Sequence, residues 1–276
     1  MRTELEQKYH KLKRIIADAD GMVIAYSGGV DSTLLLRAAV EALGERALAI
    51  TAVSETYPQE EVEEAVRLAK HLGARHRLIH TSELESEEFA ANPPDRCFHC
   101  KRELFSKLAA IAREEGLPVV ADGSNVDDLA DYRPGRRAAA ELGVRSPLRE
   151  AELTKAEIRE LSRELGLPTW DKPAYACLAS RLPYGERITP EKLRRIAAAE
   201  QVLRSLGIRQ VRVRDYGQTA RIEVDTSDLE VVIRPENRTR IVAELHKLGY
   251  LYASVDLEGY RAGSMNVALG EQENVR

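Results

Sequence analysis

An unbroken apolar run, Met22 to Tyr26, passes directly into Ser27-Gly28-Gly29-Val30-Asp31-Ser32 and then into the helical pattern Thr33-Leu34-Leu35-Leu36. A glycine-rich turn between a buried strand and a helix aims backbone N–H groups and the positive end of the helix dipole at one point, which favours an anion. The glycines let a phosphate approach closely, and the Ser27 and Ser32 hydroxyls add donors. No lysine stands in the turn, so it is not the G-x-x-x-x-G-K-[ST] loop of γ-phosphate transfer. Pyrophosphate suits it, and Asp31 is placed to hold Mg²⁺ against the phosphates. Gly28 and Gly29 alone would also suit a plain tight turn capped by Ser27.

Apolar runs and helical patterns alternate after this point. Strands are expected at 22–26, 47–53, 76–80 and 118–122, with helices at 31–43, 58–72 and 100–115 between them and an amphipathic helix before the first strand. The alternation predicts an α/β fold, a parallel sheet with helices on both faces. Thr154 and Glu157 form a capping-box pattern for a further helix ending near Gly166. A proline-spaced loop, 168–190, carries Trp170, Cys177, Arg181 and Tyr184, and a loop of that length is more often functional than idle. Beyond it, a helix after Thr189 and Pro190, strands at 210–214 and 220–224, a helix at 236–247 and a strand near 250–255 predict a second, smaller α+β domain. The expected domains are 1–180 and 181–276. Glu55 and Tyr57 follow the second strand, and Asp122, Gly123, Asn125, Asp127, Asp128 and Asp131 follow the fourth, where a doubly wound sheet keeps its ligand crevice; a solvated acidic turn would have the same composition.

Hydrophobic residues make up 43% of the 276-residue chain and charged residues 31%, an ordinary globular balance, and no apolar run is long enough to span a bilayer. The charged N-terminus has no secretory pattern, so a cytoplasmic location and no membrane partner are expected. A net charge of -4 argues against stable nucleic-acid binding and points to small-molecule chemistry.

Three cysteines cannot form a closed disulfide set. Cys97-Phe98-His99-Cys100 opens a helix, and Cys177 follows in the proline-spaced loop. A C-x-x-C pair serves a metal, a redox dithiol or an iron–sulfur cluster. Zinc would need a fourth ligand, with His99 nearest; a [4Fe–4S] cluster on Cys97, Cys100 and Cys177 would leave one iron free for a transferable sulfide; buried thiols without chemistry are the plain alternative. Arg181, close to Cys177 in sequence, would stabilise its thiolate, and would equally read as an ordinary surface arginine.

The string Ser-Gly-Gly-x-Asp-Ser resembles the PP-loop of ATP pyrophosphatases, which cleave ATP between its α- and β-phosphates. Together with Asp131-Tyr132-Arg133-Pro134-Gly135-Arg136, Ser180-Arg181-Leu182-Pro183-Tyr184-Gly185 and Val211-Arg212-Val213-Arg214, it makes nearly the whole chain resemble the LarE family of ATP-dependent sulfur transferases. The resemblance implies adenylation of the carboxylates of pyridinium-3,5-biscarboxylic acid mononucleotide and their conversion to thiocarboxylates for the nickel-pincer cofactor of lactate racemase. It implies Cys177, Asp31 and Arg181 as catalytic residues. Ser27, Gly28, Gly29, Asp31, Ser32, Arg133, Ser180, Arg212 and Arg214 are implied for nucleotide and substrate binding, since guanidinium pairs well with carboxylate and phosphate. Glu200 matches an acidic family position, and Glu200 and Glu223 join Asp31 as candidate divalent-cation ligands; Glu223 would equally serve as an ion-pair partner of the strand arginines. Single-cysteine members give up the sulfur of the residue matching Cys177, whereas the added Cys97/Cys100 pair resembles the [4Fe–4S] variant. ATP, Mg²⁺, the cluster, a sulfide source and a homo-oligomer are the expected cofactors and partners. A tRNA-thiolating PP-loop enzyme and an ATP-binding metal sensor are the competing readings.

Overall fold

The computed structural model describes residues 2–130, 134–173 and 175–267. The chain divides into two compact units, Met1–Phe89 with Asp95–Tyr175, and Ala90–Pro94 with Ala176–Arg276.

The first unit is built on a four-stranded parallel sheet in the order β3-β2-β1-β4, with β1 Met22–Ala25, β2 Ala47–Val53, β3 Arg75–His80 and β4 Val119–Ala121. Its helices are α1 Arg2–Ala17, α2 Val30–Leu43, α3 Gln59–His71, the short α4 Glu87–Ala90, α5 Arg96–Glu114, α6 Gly135–Glu141, α7 Pro147–Glu150 and α8 Lys155–Glu164. Side chains alternate across a strand, so Met22 and Ile24 pack with Leu12, Ile16, Leu34 and Leu35 in one core, while Val23, Leu48 and Ile50 pack with Leu104, Phe105 and Leu108 in another. Apolar surface on both faces is why the central strands β1 and β2 read as apolar runs, whereas β3, at the sheet edge, carries Arg75, His76 and Arg77. The expected parallel sheet with helices on both faces is the fold observed.

The capping box at α8 is present: the Thr154 hydroxyl accepts from Glu157 N, and the Glu157 carboxylate accepts from Thr154 N at 2.8 Å. Helices α6 and α7 were not expected; at seven and four residues they are too short to show a 3.6-residue apolar period.

The second unit holds α9 Pro190–Arg204, β5 Val211–Tyr216, β6 Thr219–Val224, α10 Leu229–Ile233, α11 Pro235–Lys247 and β7 Tyr252–Val255. β5 and β6 form an antiparallel hairpin, and β7 joins β6 in parallel after the α10–α11 crossover. Val211, Val213, Ile222 and Val224 pack with Leu203, Ile241 and Leu245 in a core of their own. Among the described residues no helix is long and apolar enough to cross a membrane.

Candidate active site

In the sheet order 3-2-1-4 the chain runs outward from β1 and then returns to its other side, so the topological switch point lies between β1 and β4. The loop Ser27–Gly29 occupies the β1 side of that point. Gly28 has φ +69°, and a Cβ on it would lie 2.9 Å from the Ala65 Cβ, so only glycine fits without movement. Gly29, not Ser27, is the N-cap of α2, and no side chain caps this end. Ser27 Oγ instead lies 3.2 Å from Ser32 Oγ and accepts from Gly29 N at 3.4 Å, while Ser32 Oγ donates to Gly29 O. Two hydroxyls and an uncapped helix start thus converge at one place, which is the arrangement an incoming oxyanion requires.

Asp31 stands in the first turn of α2. One carboxylate oxygen accepts from Asn125 Nδ2 at 3.2 Å, and the other is paired with Lys155 Nζ. Asn125 Oδ1 in turn accepts from Asp127 N, Asp127 accepts from Lys155 N at 2.5 Å, and Asp128 accepts from Asn125 N at 3.0 Å. The loop after β4 is therefore a scaffold that orients Asp31 rather than a loose acidic turn. Lys172 donates to Gly28 O at 3.4 Å and pairs with Glu61 and Glu64, each at 2.9 Å. The positive charge missing from the loop sequence is thus delivered from other segments: Lys155 faces Asp31, and Lys172 braces the loop backbone. Mg²⁺ commonly takes one or two carboxylates plus substrate phosphates, so the single carboxylate of Asp31 fits such an ion. Glu55 and Tyr57 line a separate cleft of about 970 Å³ between α3 and the end of β3.

Cys97 and Cys100 lie one turn apart on α5, the first exposed and the second half-buried. Positions i and i+3 share a helix face, a spacing that suits two thiolates on one metal group. His99 does not join them: its ring nitrogens lie 3.1 Å from Glu88 and 3.7 Å from Asp95. Cys100 donates to Glu83 Oε1 at 3.7 Å, and that same oxygen accepts from Thr81 Oγ1 at 3.0 Å. Glu83 is 3% exposed and was not anticipated, because nothing in the sequence separates it from its acidic neighbours.

The second unit holds Cys177, Ser180, Arg181, Glu200, Arg212, Arg214 and Glu223. Arg181 and Glu200 are each fully buried and form a bidentate pair at 2.7 and 3.1 Å. The remaining Arg181 nitrogen donates to Ala176 O at 2.7 Å, Cys177 O at 3.0 Å and Ser180 Oγ at 3.0 Å. The guanidinium expected at the Cys177 thiol therefore grips the backbone that carries it. Arg214 donates to Ser180 O at 2.9 Å and pairs with Glu223 at 2.6 Å, so two arginines clamp the turn Ala176–Ser180. Arg212 and Arg214 share one face of β5, and Arg212 stacks on the Tyr260 ring at 5.0 Å. Burial, together with the charges of Arg181 and Arg214, pushes the Arg212 pKa down to about 10, so an anion arriving here relieves an electrostatic cost.

Glu200 and Glu223, expected as candidate cation ligands, are instead occupied by guanidinium groups. Glu200 accepts from Arg181, Arg204 and Val213 N, and Glu223 from Arg214, Arg221 and Ser264. Among the described residues no three His, Cys, Asp or Glu side chains cluster as a metal site. Asp131, Tyr132 and Arg133 lie outside the described residues.

Comparison with known proteins places this geometry. The family profile described as NAD synthase matches residues 5–97, the part that contains the loop, α2 and β2. An uncharacterized protein of Synechocystis sp. is 46% identical over 96% of this chain and 99% of its own. The pyridinium-3,5-bisthiocarboxylic acid mononucleotide synthase of Lactiplantibacillus plantarum is 38% identical over 96% of each chain. The chain belongs to the LarE family of PP-loop ATP-dependent sulfur transferases. An NH(3)-dependent NAD(+) synthetase of Hyperthermus butylicus is 34% identical over 54% of the chain and 55% of that protein, so similarity to the wider PP-loop group is partial, whereas LarE similarity runs almost end to end.

Proposed function

We propose that this LarE-family chain adenylates the carboxylates of pyridinium-3,5-biscarboxylic acid mononucleotide with ATP and converts them to thiocarboxylates, in building the nickel-pincer cofactor of lactate racemase. The observation that carries the reading is the Ser27–Ser32 loop at the switch point, with Asp31 oriented by Asn125 and paired with Lys155, in a chain similar over 96% of its length to a synthase of the bisthiocarboxylic product.

A carboxylate is a poor acyl donor because its leaving group would be oxide, whereas an acyl adenylate loses AMP readily to a sulfur nucleophile. The loop N–H groups and the Ser27 and Ser32 hydroxyls hold the pyrophosphate end of ATP. Lys155 screens its charge as a carboxylate oxygen of the substrate attacks the α-phosphorus and pyrophosphate leaves. Asp31 is the residue that would hold Mg²⁺, which neutralises phosphate charge when bound. Arg212, and Arg133 by family position, offer guanidinium partners to carboxylate or phosphate. Arg181, Glu200 and Arg214 act one step back: they fix the turn that bears Cys177.

Cys97, Cys100 and Cys177 would hold a [4Fe–4S] cluster, which supplies a transferable sulfide when bound. A sulfide so supplied would displace AMP from the acyl carbon and leave a thiocarboxylate. Without a cluster, Cys177 Sγ attacks instead, AMP leaves, and loss of the Cys177 Cα proton with cleavage of the Cβ–S bond gives thiocarboxylate and dehydroalanine. The reading includes a homo-oligomer.

Product yield per chain, measured on anaerobically purified protein alongside its iron content, tests the proposal. About four irons per chain, lost in Cys97→Ala, Cys100→Ala and Cys177→Ala, together with several thiocarboxylates per chain, is the expected result. At most one product per chain, with Cys177 converted to dehydroalanine, would select the sacrificial route; absence of any thiocarboxylate would overturn the proposal.

A further inference from the structure

Beyond the end of β4, the chain and helices α6 and α7 border an open cavity of about 320 Å³ that includes Asp122, Ser124, Arg136, Arg137, Ser146 and Arg149 in its lining. Three arginines and one carboxylate are among the residues that line it. That carboxylate is already satisfied: Asp122 accepts from Ser124 N at 3.2 Å, Ser124 Oγ at 2.7 Å and Ser146 Oγ at 2.8 Å. Arg136 is fixed by donating from Nη1 to the carbonyls of Asp128 and Leu129 at 3.2 and 3.3 Å. Arg137 stacks on Phe98 at 3.8 Å, and its ion pairs with described residues are long, 3.8 Å to Asp95 and 3.7 Å to Glu141. Arg149 is half-buried and has no side-chain hydrogen bond or ion pair with a described residue.

Three arginines around a cavity whose one carboxylate is already hydrogen-bonded suit a doubly charged oxyanion, which takes paired N–H donors from more than one arginine. The volume is at the small end for ligand pockets, so it suits a phosphate and its sugar rather than a whole nucleotide. Gly123, between Asp122 and Ser124, would bring a Cβ to within 3.1 Å of Ser32 N, so the strand end that walls this cavity also touches the PP-loop.

We propose that Arg136, Arg137 and Arg149 form a phosphate-monoester subsite that anchors the acceptor mononucleotide while its carboxylate meets ATP at the PP-loop. The assignment of the phosphate to that acceptor rests on the function proposed above; the subsite itself rests on the cavity.

The test compares ATP–pyrophosphate exchange driven by the acceptor mononucleotide with exchange driven by the same acceptor lacking its phosphate, in the full chain and in Arg149→Ala. Loss of one charge-assisted contact is expected to raise the KM for the mononucleotide about tenfold to a hundredfold. The KM for the dephosphorylated acceptor and for ATP should stay unchanged, and Arg149→Lys should recover part of the loss. Equal effects on both acceptors, or no effect on either, would overturn the subsite. Direct titration with inorganic phosphate separates this from the broader reading. If the wild type shows no acceptor-driven exchange, the proposed function falls, while phosphate binding that Arg149→Ala abolishes would still support the subsite and equal binding by both proteins would overturn it.

Discussion

Glu200→Ala is expected to destabilise the second unit by about 3–5 kcal/mol, the usual cost of removing one partner from a fully buried ion pair. Glu200 answers Arg181, Arg204 and the backbone N–H of Val213, so its loss strands a buried guanidinium beside Arg212, whose charge the site already disfavours. Denaturant unfolding followed with hydrogen exchange at 176–181 and 200–213 should show the loss concentrated in those segments. Burial by itself raises the Glu200 pKa, but Arg181, Arg204 and Arg212 outweigh it and hold the carboxyl below its ordinary value. The stabilisation from this shift is therefore fully present above the unfolded carboxylate pKa of about 4.3 and is lost only as pH falls through the lower native value. Glu200→Gln should lack that acid-dependent step. A Glu200→Ala protein that unfolds like the wild type would show that the pair does not anchor the Cys177 turn.

Asp31→Asn should reduce AMP and pyrophosphate formation by about a hundredfold to a thousandfold, the range seen when a group that stabilises transition-state charge is removed. The amide keeps the shape of the side chain but neither binds Mg²⁺ as a carboxylate does nor matches the ammonium of Lys155. Because the Asp31–Lys155 pair is 23% and 33% exposed, stability should change by no more than about 1 kcal/mol. Kinetics and unfolding therefore separate the two variants: Asp31→Asn loses chemistry with the fold intact, and Glu200→Ala loses the fold around Cys177. Unchanged AMP formation by Asp31→Asn would remove Asp31 from the reaction.

The PP-loop was legible because its function depends on local order: strand, glycine turn and helix start are contiguous. Lys155 and Lys172 were not, since they contact the loop from 124 and 144 residues downstream and look like ordinary surface lysines. Arg181 illustrates the opposite error. Its closeness to Cys177 in sequence suggested a thiolate partner, but the tight turn Leu178–Arg181 directs its guanidinium to the carbonyls of Ala176 and Cys177. Glu200 and Glu223 read as metal ligands because acidic side chains carry no mark of their neighbours; the fold surrounds each with arginine. Arg136 stood in a recognised motif and Arg149 in none. Only the packing of α6 and α7 beside β4 brings them to one cavity.

Acyl adenylation followed by sulfur transfer makes one demand that no bystander reaction meets. The oxygen that leaves the substrate carboxylate must appear in AMP, because the C–O bond breaks when sulfur attacks the acyl carbon. Acceptor mononucleotide labelled with heavy oxygen in both carboxylates, incubated with ATP and the anaerobic protein, tests this by mass spectrometry. The account predicts one labelled oxygen in AMP for each thiocarboxylate formed. Unlabelled AMP alongside thiocarboxylate product would contradict it.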